Sequence, residues 1–249
     1  MAYLVSLVPV SVLIGIGMLV VFRRVSNPAA IARAKSRMAA HVYEMRLFPD
    51  EPVLIWSAQW GLLRANIRYI GLMLAPALVM SIPLLAVLSA LEGYYGVAPL
   101  PVGQASIVTV QLKTPWRGPA PELRAPEGIA VETPGVRLAG GRQISWRIRA
   151  SRPASGSLEF RLPGETVEKS IEAAAGPRYL SSRRVSSWMD LLLHPAEAPI
   201  SSTRVDWIQV RYPGNTIDAM GLQVSWLVWL LVISMITAIV LKRRFRVTF

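Results

Sequence analysis

The chain has 249 residues, a formal net charge of +12 and 53% hydrophobic residues. It contains no cysteine, which excludes disulfide bonds, thiolate catalysis and Cys-ligated metal sites. Much of the excess positive charge lies within a few residues of three apolar runs, where contact with anionic lipid headgroups accounts for it. We therefore expect membrane lipids as partners and no nucleic acid.

The three apolar runs contain no charged residue. They extend from Ala2 to Phe22, from Tyr69 to Leu91 and from Ala219 to Leu241, and hold 21, 23 and 23 residues. With a helical rise of about 1.5 Å per residue, each run reaches roughly 30 Å, the thickness of the hydrocarbon core of a bilayer. The sequence therefore predicts an α-helical membrane protein with three transmembrane helices.

The distribution of positive charge predicts the orientation. The segment between the first two runs holds eight basic and three acidic residues, a net charge of +5, and the tail adds four basic residues. The positive-inside rule places both segments in the cytoplasm, so the N-terminus is expected outside an inner (cell) membrane and the C-terminus inside. Arg23 and Arg24 follow the first run instead of preceding it, so we expect a retained span and not a cleaved signal peptide. His41 and His194 then lie on opposite sides of the membrane and cannot share a metal ion.

These signals divide the chain into six predicted parts. They are a first span at 1–22, a basic cytoplasmic helical hairpin at 23–68, a second span at 69–92, an extracytoplasmic β-domain at 93–218, a third span at 219–241 and a basic tail at 242–249.

The hairpin is predicted from turn and capping signals. Asn27 and Pro28 favour a helix start, and the helix is expected to end near Leu47. Residues 49–52, Pro-Asp-Glu-Pro, break it, and a second helix starting near Val53 is expected to continue into the second span. Each helix has an apolar stripe. We expect the two stripes to pack against each other, and the alternative is a ligand-binding surface. The stripe residues are Ile31, Met38, Val42 and Met45 on the first helix and Val53, Trp56, Trp60, Leu63 and Ile67 on the second.

Two prolines predict a polar recess in the second span. Pro76 and Pro83 are seven residues apart and therefore fall near one face of the helix, together with Ser81. Each proline frees a backbone carbonyl, and freed carbonyls in lipid need partners. We expect this face to contact protein or water, with Ser234 of the third span as a further hydroxyl.

Arg64 and Arg68 lie one helical turn apart at the cytoplasmic end of the second span. Such arginines most often anchor a helix at the lipid headgroups. The alternative is a basic mouth that faces an acidic or unfolded segment of another protein. No ionisable residue lies inside a predicted span, which argues against a proton relay or an ion pathway.

The segment between the second and third runs changes to a two-residue period. Gln143–Ala150 and Ser157–Leu162 alternate apolar and polar residues, and the turn-like link between them predicts a β-hairpin in which Arg147 and Arg149 reach Glu159. About six short strands favour a small β-sandwich. The other predicted strands are 106–113, 129–132, 166–173 and 205–212. Residues 179–194 predict a helical insertion that either caps the sandwich or lies on the outer leaflet.

The order of these parts resembles a known family. An outside N-terminus, a span, a basic hairpin from Asn27 to Arg68, a proline-bearing span opening with 72–76 and a last span opening with 225–229 resemble the three-span core of the YidC/Oxa/Alb superfamily of membrane-protein insertases. The likeness is to its minimal archaeal and ER-type members. It implies non-covalent insertase or membrane-chaperone activity on nascent or unfolded clients. The added β-domain and the lack of a charge inside the spans depart from the family plan.

Two functions follow as expectations. The first is an insertase-like core, with a client groove formed by Arg64, Arg68, Pro76, Ser81, Pro83 and Ser234. The alternative is a structural or sensory subunit whose β-domain binds an extracytoplasmic protein partner. We expect no enzymatic activity, no catalytic residue, no metal and no cofactor, since no spacing supports a Ser–Lys pair at Lys113 or Lys169.

Overall fold

A computed structural model of the protein describes residues 2–48, 50–138, 140–219, 221–241 and 244. The chain divides into two compact units, one containing Met1–Ser6 and Leu85–Val228 and the other containing Leu7–Leu84 and Trp229–Phe249. The predicted basic tail, 242–249, lies outside the described residues apart from Arg244.

The helices contain the first two apolar runs and most of the third. They are α1 (Ala2–Val25), α2 (Pro28–Leu47), α3 (Pro52–Leu91), α4 (Trp188–Leu191) and α5 (Trp226–Leu241), and a π-helical turn, Glu92–Gly96, follows α3. Among the described residues, two helices are long and apolar enough to cross a membrane, and they correspond to α1 and α3. The helix α3 is continuous over 40 residues. This confirms that the second helix of the hairpin continues into the second apolar run.

The strands lie between α3 and α5. They are β1 (Ala105–Leu112), β2 (Glu122–Arg124), β3 (Ile129–Val131), β4 (Val136–Arg137), β5 (Gln143–Ala150), β6 (Ala154–Leu162), β7 (Glu165–Ala173), β8 (Arg183–Val185), β9 (Val205–Val210), β10 (Thr216–Ala219) and β11 (Leu222–Ser225). The described strands form three sheets, of which β10 and β11 make a separate two-stranded one. Of the other two, the larger sheet has the order β3-β5-β1-β9-β8, with β4 also paired to β5, and the smaller sheet has the order β2-β6-β7. Neighbouring strands in both sheets are antiparallel.

The two sheets share one apolar core. Alternate residues of β5 are buried, as the two-residue period predicts for a strand with one face inward. Ile144, Trp146 and Ile148 of β5 belong to the same buried cluster as Leu158 and Phe160 of β6. Two antiparallel sheets with a common core form the β-rich domain, as in a β-sandwich.

The predicted pairing of β5 with β6 is wrong. Strand β5 pairs with β1, β3 and β4, whereas β6 pairs with β2 and β7. Arg147 and Arg149 consequently lie beside Glu132, and Glu159 lies beside Arg161. The hydrogen bond from Arg149, together with the charges of both arginines, lowers the pKa of the Glu132 carboxyl. The chain between β5 and β6 crosses from one sheet to the other.

The predicted helical insertion at 179–194 is also corrected. Arg183–Val185 is a strand, in which Val185 pairs with Trp207 of β9, and only Trp188–Leu191 is helical. Within the apolar stripe that favoured a helix, Leu180 and Val185 are buried and Trp188 is exposed. The stripe is divided between a strand and a short helix, which do not bury one common face.

The third apolar run begins later as a helix than predicted. Leu222–Ser225 pairs with Thr216–Ala219, and Gly221 has a φ of +76° in the turn between these two strands. The helix α5 starts at Trp226 and is described over 16 residues, about 24 Å. A short strand can be as free of charge as a membrane helix, so the lack of charge could not distinguish the two at residues 219–225.

Candidate functional site

The helical hairpin formed by α2 and the first half of α3 is the candidate site. The side chain of Asn27 accepts a hydrogen bond from the backbone N–H of Ala30, at 3.0 Å, which confirms the predicted cap. The ammonium group of Lys35 lies 5.8 Å from the centre of the Tyr69 ring, and the His41 ring approaches Gly61. Along α2, Lys35 comes before His41, whereas along α3 the partner of Lys35, Tyr69, comes after the partner of His41, Gly61. The two helices therefore run antiparallel.

Small residues line the buried side of α3. Ala58 and Ala65 are buried, and a Cβ atom added at Gly61, between them, would lie 2.5 Å from the His41 ring. A larger side chain at Gly61 would therefore have to displace the His41 ring. On α2, Ile31 is buried and Met38 and Met45 are half-buried, as predicted for an inward-facing stripe, whereas Val42 is exposed.

The large apolar residues of α3 lie on its other side and are exposed. Trp56 is 76% exposed and Trp60 is 55% exposed. The remaining members of this exposed stripe are Val53, Leu63 and Ile67. The expectation that the tryptophans pack against α2 is wrong, because the small residues occupy the inward positions instead.

Two cations border the exposed stripe. The guanidinium carbon of Arg64 lies 5.4 Å from the centre of the Trp60 ring, and the side chains of Arg64 and Arg68 are exposed one turn apart. A guanidinium over an indole face gains a cation–π attraction of about 0.5–1 kcal/mol at an exposed position. The hairpin thus presents indoles, alkyl chains and guanidinium groups side by side, groups that bind by apolar burial and by charge.

The predicted recess residues have other surroundings. Pro76 is buried whereas Pro83 is exposed, so the two prolines do not share one environment. The hydroxyl of Ser81 donates a hydrogen bond to the carbonyl of Leu78, at 2.8 Å. Its polarity is therefore satisfied within α3. Arg64 and Ser81 are 17 residues apart along one helix, about 25 Å, so they do not belong to one small site.

Ser234 takes part in a close contact between two helices. A Cβ atom added at Gly15 of α1 would lie 2.9 Å from the backbone carbonyl oxygen of Ser234 in α5. The Ser234 hydroxyl donates to the carbonyl of Leu231, at 3.1 Å. Small residues permit such close approach of two apolar helices. The structure thus gives Ser234 a packing role that the sequence pattern did not indicate.

A buried ion pair in the β-domain involves Lys169, one of the two lysines considered for a Ser–Lys pair. Its side chain is fully buried and its ammonium group donates to the carbonyl of Ser181, at 2.6 Å, and to Glu197, at 3.0 Å. Burial lowers the pKa of Lys169, and the Glu197 carboxylate opposes that shift. The hydroxyl of the neighbouring Ser170 also donates to Glu197. The cluster ties β7 to two loops, which is a structural role.

No family model, curated protein or solved structure matches this chain.

Proposed function

We propose that this chain is an integral membrane protein that assists the insertion of other membrane proteins, and that its hairpin receives the client segment. Residues 23–68 are cytoplasmic in this proposal, and residues 93–218 are extracytoplasmic. The two helices long enough to span a bilayer and the sequence resemblance to the insertase superfamily support it. The exposed apolar stripe of α3 carries it.

Exposure of this apolar stripe to water is unfavourable in free energy. Burying one large apolar side chain stabilises a protein by roughly 1.5–3 kcal/mol, and five such side chains lie on this face without cover from α2. An exposed apolar face bordered by charge is typical of a surface that binds an apolar partner. A membrane-protein segment that has not yet entered the bilayer is a partner of this chemistry.

The mechanism is physical and forms no covalent bond. A client segment lays its apolar side chains on Trp56 and Trp60, and Arg64 and Arg68 attract acidic residues that flank it. Because α3 continues without a break from this stripe into its apolar half, the client has a continuous surface toward the lipid. Local thinning of the bilayer beside the helices would shorten the path of the polar tail.

A second candidate function is a subunit whose β-domain binds an acidic protein partner. It is favoured by a cavity of about 660 Å³ at one end of this domain. Arg117, Arg161 and Arg204 line the cavity, against the single carboxylate of Glu122. An acidic surface would be complementary to this lining, and electrostatic complementarity favours specific association.

Reconstitution of the purified full chain into liposomes tests the insertase proposal. The client is a short membrane protein with an acidic translocated tail, and the readout is protease protection of that tail. Arg64→Glu with Arg68→Glu, and separately Trp56→Ser with Trp60→Ser, are expected to lower insertion several-fold. Arg33→Glu with Arg37→Glu is the matched control, since these are two exposed arginines one turn apart on α2.

A chain that inserts no client above empty liposomes contradicts the proposal. If the Arg33 and Arg37 control loses as much insertion activity, Arg64 and Arg68 contribute only through the net charge of the hairpin. Photocrosslinkers placed at Trp60 and at Arg117 separate the two functions in cells. Nascent chains trapped at Trp60 support insertion, whereas one folded protein trapped at Arg117 and nothing at Trp60 supports the second candidate.

A further inference from the structure

A cavity of about 370 Å³ lies at the base of the β-domain, within the unit that contains residues 85–228. The last turn of α3, the first residues of α5, strand β8 and the loop after α4 contribute its walls. Small-molecule sites in proteins have volumes of roughly 300–1,000 Å³. The cavity is therefore large enough for a small polar group.

Arg183 supplies a cationic wall of the cavity. Its guanidinium carbon lies 4.4 Å from the centre of the Trp207 ring, and one terminal nitrogen donates to Gln209, at 2.8 Å. Its Nε atom is buried and has no hydrogen-bond partner among the described residues. Because Nε is buried, a ligand in the cavity would contact the terminal nitrogens of the guanidinium, which the Trp207 ring and Gln209 hold in place.

Glu92 supplies the opposite charge in the same cavity. One carboxylate oxygen accepts a hydrogen bond from the indole nitrogen of Trp226, at 3.0 Å. Among the described residues, neither Glu92 nor Arg183 forms an ion pair with another side chain. Burial and the charge of Arg183 lower the pKa of His194, a third polar group of the wall, and the charge of Asp190 opposes that shift. The cavity thus offers one positive and one negative group.

The surroundings of the cavity are those of a membrane surface. Leu88 and Leu227, from the ends of two apolar helices, line it. Leu193, also in the wall, ends an exposed apolar segment in which Trp188 is 73% exposed and Met189 is 63% exposed. Tryptophan and apolar residues beside helix ends are typical of the interface between lipid and water.

An aromatic cluster at the same helix ends also favours a position of the cavity at the interface between lipid and water. The ring centres of Tyr94 and Tyr95 are 4.9 Å apart, and Tyr95 stacks on Trp226 at 5.9 Å. The ring of Tyr3, from the start of α1, lies 6.0 Å from that of Tyr94. Aromatic residues gather at headgroup depth because their rings prefer the apolar side and their polar atoms the wet side.

We propose that this cavity binds the phosphoethanolamine headgroup of a membrane phospholipid, with Arg183 holding the phosphate and Glu92 holding the ammonium group. The acyl chains lie outside the cavity, along Leu88 and Leu227. A dipolar headgroup matches one cation and one anion in the same wall. A purely anionic headgroup would be repelled by the carboxylate of Glu92. This inference does not depend on client insertion by the hairpin.

Lipid retention by the full chain tests the proposal. The purified protein in detergent is titrated with short-chain phosphatidylethanolamine, phosphatidylglycerol or phosphatidylcholine, and bound lipid is counted by native mass spectrometry. The ethanolamine lipid is expected to bind about tenfold tighter than the glycerol lipid, the size of one charge-assisted hydrogen bond. Equal binding of the three lipids would overturn the assignment.

Variants locate the site. Arg183→Gln is expected to weaken binding of all three lipids about tenfold, and Glu92→Gln to abolish the preference for ethanolamine while retaining an acceptor for Trp226. Arg152→Gln and Glu127→Gln are matched controls, because these two residues form an exposed ion pair away from the cavity. If Glu92→Gln keeps the lipid selectivity of the wild type, the proposal is contradicted. Glu92→Gln also remains decisive if Arg183→Gln fails to fold because it has lost the stack on Trp207.

A further arm identifies the source of the headgroup. Free phosphoethanolamine is added as a competitor at the concentration that gives half-saturation by the lipid. Little displacement is expected, because the lipid also gains from contact of its chains with Leu88 and Leu227. Equal potency of the free compound would assign the cavity to a soluble phosphate ester and overturn the membrane-lipid assignment.

Discussion

The indole of Trp146 lies edge-on to the ring of Phe160, with 5.5 Å between the ring centres and an angle of 63° between the planes. Trp146 is on β5 in the larger sheet and Phe160 is on β6 in the smaller sheet. This contact therefore joins the two sheets across the core. Two consecutive strands thus meet face to face and not edge to edge.

The first prediction concerns this contact. Trp146→Ala is expected to lower the free energy of unfolding of the β-domain by about 3–5 kcal/mol. The variant loses the apolar burial of the indole and leaves a cavity in the core. Trp188→Ala removes an exposed indole and serves as the control. Denaturant unfolding of the full chain in mild detergent, followed by far-UV circular dichroism, gives both values. Similar stabilities for the two variants would place Trp146 outside the core.

The strands were predictable from the sequence where one face is buried. Gln143–Ala150 has the predicted bounds, because alternation of apolar and polar residues is a local property. The pairing was not predictable, since a turn-like link fits a hairpin and a crossing between sheets equally well. Strand β1 (Ala105–Leu112) pairs with β5 over seven residue pairs and so occupies the edge that the hairpin would have used. This contact joins segments that are distant in sequence.

The candidate site shows the same division. The capped start of α2 and the exposed arginines follow from local signals, and the structure agrees with them. The exposed tryptophans were missed because α3 has two stripes, one of large residues and one of small residues. Gly61 was the available signal, since glycine inside a helix lowers its stability and commonly marks close packing. The position of His41 opposite Gly61 depends on the register of the hairpin, which one sequence does not show.

The second prediction concerns orientation, which follows from the charge of +5 in residues 23–68. The chain has no native cysteine, so single cysteines can be labelled without background. Ser36 and Ser155 are both exposed, one on α2 and one on β6. A cysteine at Ser155 is expected to react with an impermeant maleimide in intact cells, and a cysteine at Ser36 only after the membrane is opened. Labelling of Ser36 in intact cells would reverse the proposed topology.

The last prediction concerns the contact between α1 and α5. Gly15→Ala places a Cβ atom 2.9 Å from the carbonyl oxygen of Ser234, which is backbone and cannot rotate away. Overpacking of this kind costs about 1–3 kcal/mol, whereas replacing glycine by alanine inside a helix stabilises it by roughly 1 kcal/mol. Gly17→Ala has nothing within 4 Å of the added atom and isolates the second effect. Thermal unfolding of the purified chain in detergent should therefore give a lower midpoint for Gly15→Ala than for Gly17→Ala. Equal midpoints would mean that α1 and α5 do not meet at Gly15 and Ser234 in the detergent-solubilised protein.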